Sequence, residues 1–173
     1  FTFGHVRQLD AVASRSLTAL AAQAGQVLGD SSGGRVLVDV DDTIIEVHGH
    51  AKQGAGFGYS GVRGLNALLA TVTTTGSAPV VVAQRLRKGS CGSPRGAKRL
   101  VADALKTVST LHPGHGKPLL RADSAFYGAP TVGAALRGGA QVSITVRLDP
   151  KVKYTLFILI LFLILYPHAY YSL

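Results

Sequence analysis

The sequence has no methionine or tryptophan, a single cysteine and a single glutamate. One cysteine, Cys91, allows no internal disulfide and suits a reducing compartment, so the chain reads as cytoplasmic. Cys91 sits among Gly and Ser with no base beside it, which is the setting of an incidental thiol and not of a nucleophile. The six histidines show no tight metal-ligand spacing: His48 and His50 alternate, and His112 and His115 fall in a loop. Gly114-His115-Gly116-Lys117-Pro118 lacks the spacing and the hydroxyl residue of a phosphate loop, and it precedes a strand. Phe1-Thr2-Phe3, with no methionine and no signal peptide ahead of it, reads as an entry in mid-protein. No internal repeat is present.

Charge is absent from one end. All 18 Lys and Arg residues lie in residues 1–153, and residues 154–173 carry none. That last stretch holds three of the six isoleucines and four of the six tyrosines. The break at Lys153 has two readings, an out-of-frame tail or a membrane anchor. The apolar run Tyr154–Tyr166 would be roughly 20 Å long as helix, against about 30 Å of hydrocarbon. Extension through Tyr171 would bring it near spanning length, with Lys151 and Lys153 on the cytoplasmic side.

What remains is a chain of 173 residues, 47% apolar, with a formal charge of +9. That is room for one domain with a sizeable core. Its basicity favours a polyanionic partner, nucleic acid first.

Apolar spacing predicts a helix over Leu9–Leu28, stopped by Gly29. A turn at Asp30–Gly34 leads to a strand from Val36 to about Asp41. Residues 46–64 are dense in glycine and read as loop and bent strand. Leu65–Thr73 and Pro79–Leu86 read as a hairpin joined through Thr74–Ser77. Ser93-Pro94 opens a helix whose apolar face is Ala97, Leu100, Val101, Ala104, Leu105, Val108 and Leu111, and which ends at His112–Gly116. A strand at Leu119–Asp123, a short helix at Ala129–Leu136 closed by Gly138-Gly139, and a strand at Ala140–Val146 follow. An antiparallel start with parallel crossovers is a mixed α/β sheet. The expected divisions are a helical segment over 1–34, a core over 35–153 and an apolar tail over 154–173.

The chemistry lies where two strands end on acids. Val36–Val40 runs into Asp39, Asp41 and Asp42; in a strand, 39 and 41 share a face and 42 opposes them. Acids are costly to bury unless paired or bound to metal. Leu119–Asp123 repeats the design, with Arg121 placed to pair with Asp123. Two acid-terminated strands of one sheet could meet at a cation, and hard oxygen ligands point to Mg²⁺ or Mn²⁺. The basic stretch Arg85, Arg87, Lys88, Arg95, Lys98 and Arg99 is either a phosphate-binding surface or a solvated face.

Three segments together carry a family resemblance: Val38-Asp39-Val40-Asp41-Asp42-Thr43, the glycine-rich Lys52–Gly61, and Leu120-Arg121-Ala122-Asp123-Ser124-Ala125-Phe126-Tyr127. Residues 5–153 resemble bacterial insertion-sequence DDE transposases, which have an RNase H-like catalytic core. The resemblance implies two-metal phosphoryl transfer on transposon-end DNA. It makes Asp41 and Asp123 the first two catalytic, metal-holding acids, with Asp39, Thr43 and Arg121 in support. It also implies a homo-oligomer for the intact parent protein. The family's third acid, a Glu on a later helix, has no counterpart: Glu46 is in the wrong place, and the only acid after Asp123 is Asp149. The amino-terminal DNA-binding region is also missing. The expectation is therefore an incomplete site, with weak or single-metal binding and little transposition.

Two other readings stand beside this one. Asp39-x-Asp41-x-Thr43 also resembles the first motif of haloacid dehalogenase-like phosphohydrolases, with Asp39 as nucleophile and Asp41 as general acid/base. That family calls for a parallel Rossmann-like sheet. The third reading is an inert remnant, membrane-attached if the tail is genuine.

Overall fold

The structure, a computed structural model, describes residues 3–24, 28, 34–111 and 116–165. The expected helix stop at Gly29, the turn at 30–33, the loop at 112–115 and the end of the tail at 166–173 lie outside the described residues. The elements in chain order are α1 (Phe3–Ala24), β1 (Leu37–Glu46), β2 (Gly56–Phe57), β3 (Arg63–Thr74), β4 (Ser77–Lys88), α2 (Ala97–Leu111), β5 (Leu119–Ala122), α3 (Ala129–Arg137), β6 (Gln141–Ile144) and α4 (Pro150–Leu165).

The sheet is mixed. β3 lies antiparallel between β1 and β4, while β5 and β6 run parallel to β1 on its other side. The order β4-β3-β1-β5-β6 is that of the expected RNase H-like core. β2 pairs with the first two residues of β3, beyond the end of β4.

Strand parity decides what each face carries. Val38 and Val40 of β1, Leu68, Ala70 and Val72 of β3, and Leu120 of β5 are buried on one face. Against them pack Leu100, Val101, Ala104, Leu105 and Val108 of α2, and Ala134 and Ala135 of α3. The 3.6-residue period of α2 puts its apolar positions on one stripe, and this is the stripe the sequence predicts. Each fully buried Leu or Val contributes about 1.5–3 kcal/mol. The opposite face presents Asp39, Asp41 and Thr43 of β1 beside Arg121 of β5, and Asp41, Thr43 and Arg121 are exposed.

Three elements depart from the sequence reading for identifiable reasons. α2 begins at Ala97 and not at Ser93-Pro94, because Gly96 has φ +84°, a left-handed conformation that no helix interior accepts. α1 starts at Phe3, earlier than expected, and turns a different stripe inward: Leu9, Val12 and Leu20 are exposed. Its inward side instead offers Asp10 to Arg85 of β4 and Ser14 to Thr107 of α2, at 3.2 and 2.8 Å, while Leu17 packs on the core. β1 continues to Glu46, past the expected end at Asp41, because β3 is long enough to pair with it throughout.

Arg85 is 7% exposed and joins Asp10 to Asp103. Burial holds the Asp10 carboxyl above its ordinary value, against the pull of Arg85. Removing the arginine leaves that carboxylate without its cation. Arg85→Ala is therefore expected to cost about 2–3 kcal/mol of unfolding free energy, measured by urea denaturation. A loss within about 0.5 kcal/mol, as at an ordinary surface site, would refute the internal role.

The described part of the tail lies in α4, whose side chains from Lys153 to Leu161 are all exposed. Among the described residues no helix is long and apolar enough to cross a membrane.

Candidate active site

β5 pairs with β1 only over Leu37–Val40, in the register Asp39↔Arg121 and Val40↔Ala122. One step further along both strands stand Asp41 and Asp123. Paired positions in neighbouring strands share a face, so this register carried one step on would put both positions on the face away from the helices, where Asp41 and Asp123 are exposed. β1 and β5 are buried on the helix side, which is why both acids emerge where the pairing stops.

Each carboxylate is held by local backbone. The Asp42 N–H donates to Asp41 Oδ1 at 2.8 Å, and the Ala125 N–H donates to Asp123 Oδ1 at 2.9 Å. The second contact makes Asp123 the cap of a short 3₁₀ turn at Ser124–Phe126. Phe126 is buried and fixes that turn to the core. In both cases one carboxylate oxygen is oriented and the other has no protein hydrogen bond among the described residues.

The other acids of the sheet are neutralised. Arg121 grips Asp39 through two bonds of 2.7 and 2.8 Å, which holds the guanidinium above its ordinary pKa. The sequence offered Arg121 as a partner for Asp123; the structure gives it to Asp39 across the strand pair, because Arg121 and Asp39 are opposed in register. Asp42 faces inward and pairs with Arg87 at 3.0 Å. Asp10 and Asp103 share Arg85. Asp41 and Asp123 thus differ from Asp39, Asp42, Asp10 and Asp103 in having no arginine.

Arg87 is the centre of a buried polar cluster, its side chain 6% exposed. It donates to Asn66 Oδ1 and Asp42 Oδ2, and through Nη1 to the carbonyls of Gly92, Ser93 and Arg95. Asn66 also donates to Asp42. Burial draws the Arg87 guanidinium below its ordinary pKa, yet every polar atom in the cluster is satisfied.

The expected basic surface therefore divides. Arg85 and Arg87 are internal, a correction to their reading as DNA contacts; they share a parity on β4 that points to the helices. Lys88, Arg95, Lys98 and Arg99 remain exposed. Asn66 was overlooked in the sequence, although a lone polar residue at an inward position of an apolar strand needs partners.

The acids fit a hard cation in kind: two exposed carboxylates with no arginine partner among the described residues. Among the described residues, no group of three or more His, Cys, Asp or Glu side chains could hold a metal. Glu46 lies at the far end of β1, five residues beyond Asp41, and does not complete such a group.

A family model described as "Transposase DDE domain" matches residues 32–163, most of the chain. The chain belongs to the DDE transposase-domain family. The match begins just before β1 and runs past Lys153 into α4. No curated protein matches it. Among solved structures, it is similar to a piggyBac transposase synaptic complex with hairpin DNA, at 17% identity and a TM-score of 0.44, over 67% of this chain and 25% of that one. It is also similar to the catalytic domain of Mos1 mariner transposase, at 12% identity and a TM-score of 0.45, over 96% of this chain and 73% of that one. The chain thus spans a quarter of the piggyBac chain's length. The phosphohydrolase alternative gains nothing from this DDE core: β1 is flanked by antiparallel β3, and the carboxylate that would serve as nucleophile, Asp39, is clamped by Arg121.

Proposed function

We propose that this chain is a piece of an insertion-sequence transposase core that supplies Asp41 and Asp123 as the first two metal-holding acids of DNA strand cleavage and joining. The observation that carries the reading is selective neutralisation. Four acids around the sheet have an arginine; among the described residues Asp41, just past the last β1–β5 pair, and Asp123, just past β5, have none, and neither do the more distant Glu46 and Asp149.

Mg²⁺ or Mn²⁺ bound there would polarise a phosphate oxygen and sharpen a water or 3′-hydroxyl nucleophile. The protein's part is positional. The Asp42 and Ala125 amides turn one oxygen of each acid inward and leave the other outward. The Asp39–Arg121 pair braces the two strands directly before the acids and keeps Asp39 from competing for the ion. Thr43 stands on the Asp41 face of β1, one alternation further on. Lys88, Arg95, Lys98 and Arg99 would contact backbone phosphates, which gives salt-sensitive, sequence-independent affinity. With no third acid in this chain, it binds one ion weakly and does not carry out transposition by itself.

The test is a thermal-melting titration with Mn²⁺. At a concentration about ten times Kd, a single site should add about 1.4 kcal/mol. Asp41→Ala and Asp123→Ala should each abolish the shift, while Asp149→Ala keeps it. Without metal, Asp41→Ala should lie within about 0.5 kcal/mol of the parent chain, while Asp123→Ala should cost about 0.5–2 kcal/mol through loss of its turn cap. A full Mn²⁺ response in either variant would sink the shared site.

A further inference from the structure

A cleft of about 680 Å³ opens beside the end of β1, lined by Asp42 and Thr43 on one side and by the glycine-rich loops at 57–60 and 89–93 on the other. Two aromatic side chains stand on it and are left in solvent: Phe57 is 67% exposed and Tyr59 fully so. Nothing in the transposase reading so far uses them. Exposed apolar groups gathered on one cleft mark a binding surface.

The backbone that carries the rings is fixed. Gly89 N–H donates to the Gly54 carbonyl at 3.0 Å. β2 is paired to β3. At Gly58 a Cβ would stand 2.6 Å from the Gly89 carbonyl oxygen, so the two loops touch backbone to backbone. Arg87 ties the same 89–95 loop to Asp42 through three carbonyls. The rings therefore sit on a rigid frame adjoining Asp42 and Thr43, and binding there orders little that is not already ordered.

The charge of the cleft says what it can take. Its charged lining residues are Glu46 and the neutralised Asp42, so a phosphate is repelled from the interior. The exposed cations Lys88 and Arg95 stand outside, at either end of the 89–93 loop. Phosphates outside and a flat, uncharged group inside is the arrangement of a nucleotide whose base is turned in. Bases stack on aromatic side chains with little regard to sequence, provided their faces are free of the duplex.

We propose that Phe57 and Tyr59 form a stacking platform for an unpaired nucleobase of DNA held in the cleft beside Asp42 and Thr43. The proposal rests on the DNA-binding reading above.

The experiment uses the full chain at low salt and two DNA probes. One is a blunt duplex; the other is the same duplex with a short single-stranded overhang containing 2-aminopurine, whose fluorescence is quenched by stacking. The parent chain should quench the overhang probe, and Tyr59→Phe should preserve the quench. Tyr59→Ala and Phe57→Ala should lose it, with a fall of about fivefold or more in overhang affinity. Blunt-duplex affinity, read by anisotropy, should stay within about twofold. Both rings are on the surface, so the alanine variants keep the fold, checked by circular dichroism. If the chain binds blunt duplex but quenching is absent, or survives in the Phe57→Ala/Tyr59→Ala double variant, the platform is overturned and the DNA-binding reading stands. If neither probe binds, the DNA-binding reading fails and the platform with it.

Discussion

Arg87→Ala is expected to lower the unfolding free energy by about 3–5 kcal/mol, the cost of breaking a buried, hydrogen-bonded ion pair from one side. Small domains have only about 5–15 kcal/mol in total, so the variant should be marginal. Among the described residues the guanidinium is the sole cation paired with Asp42, whose side chain is 13% exposed. It also satisfies Asn66 Oδ1 and the carbonyls of Gly92, Ser93 and Arg95. Alanine would strand an acid and an amide inside the protein and release the 89–95 loop. Arg87→Lys keeps the charge but not the planar fork, and is expected to recover less than half of the loss. Removing both ends of the pair, in Arg87→Met with Asp42→Leu, should cost less than Arg87→Ala alone, because no uncompensated charge is left. Urea denaturation of the four proteins gives the comparison. A single-variant loss below about 1 kcal/mol would show that the cluster is solvated.

This cluster also shows where sequence patterning stops being informative. Six cations within fifteen residues look like one basic surface, but parity separates them. On β4 the alternation sends Arg85 and Arg87 toward the helices and Lys88 away. Their role depends on Asp10, Asp42 and Asp103, which are brought from three other elements, and nothing local encodes those partners. The exposed positions of Asp41 and Asp123 were legible for the opposite reason. Their placement follows from strand parity and from apolar runs that end on carboxylates, both local features. That Arg121 serves Asp39 and not Asp123 is set by the parallel register of β1 and β5, a tertiary quantity. α2 was readable because its stripe is purely apolar. α1 was not, because its inward stripe carries Asp10 and Ser14, and its most apolar positions face solvent.

The face bearing Asp41 and Asp123 follows from the same topology. α1 packs on β4 and α2, α2 packs on β3 and β4, and α3 packs on α2 and β6, with the core on the side of Val38 and Leu120. The uncovered face can keep charged groups hydrated, so unpaired carboxylates cost little there before a cation arrives. Burial explains why Asp42, one residue along, needs an arginine while Asp41 does not.

Gly89→Ala is the second large effect, expected to cost more than about 3 kcal/mol through steric strain that the loops cannot relieve. A Cβ at this position would press into the carbonyl oxygens of Gly64 and Gly56, well inside contact distance, and would lie 2.8 Å from the Gly56 amide nitrogen. These are backbone atoms of β2 and β3, held in a strand pair, so no side chain can swing aside. Gly92→Ala, three residues on in the same loop, is the control. Nothing lies within 4 Å of its Cβ, and its φ is not positive. Reducing the freedom of the unfolded chain there should leave stability unchanged or raise it by about 0.4–1 kcal/mol. The pair isolates close approach from glycine content. Equal effects at 89 and 92 would mean that the 54–64 and 89 segments do not touch, and would remove the rigid frame on which Phe57 and Tyr59 stand. A large loss at 89 alone would establish that frame independently of any DNA measurement.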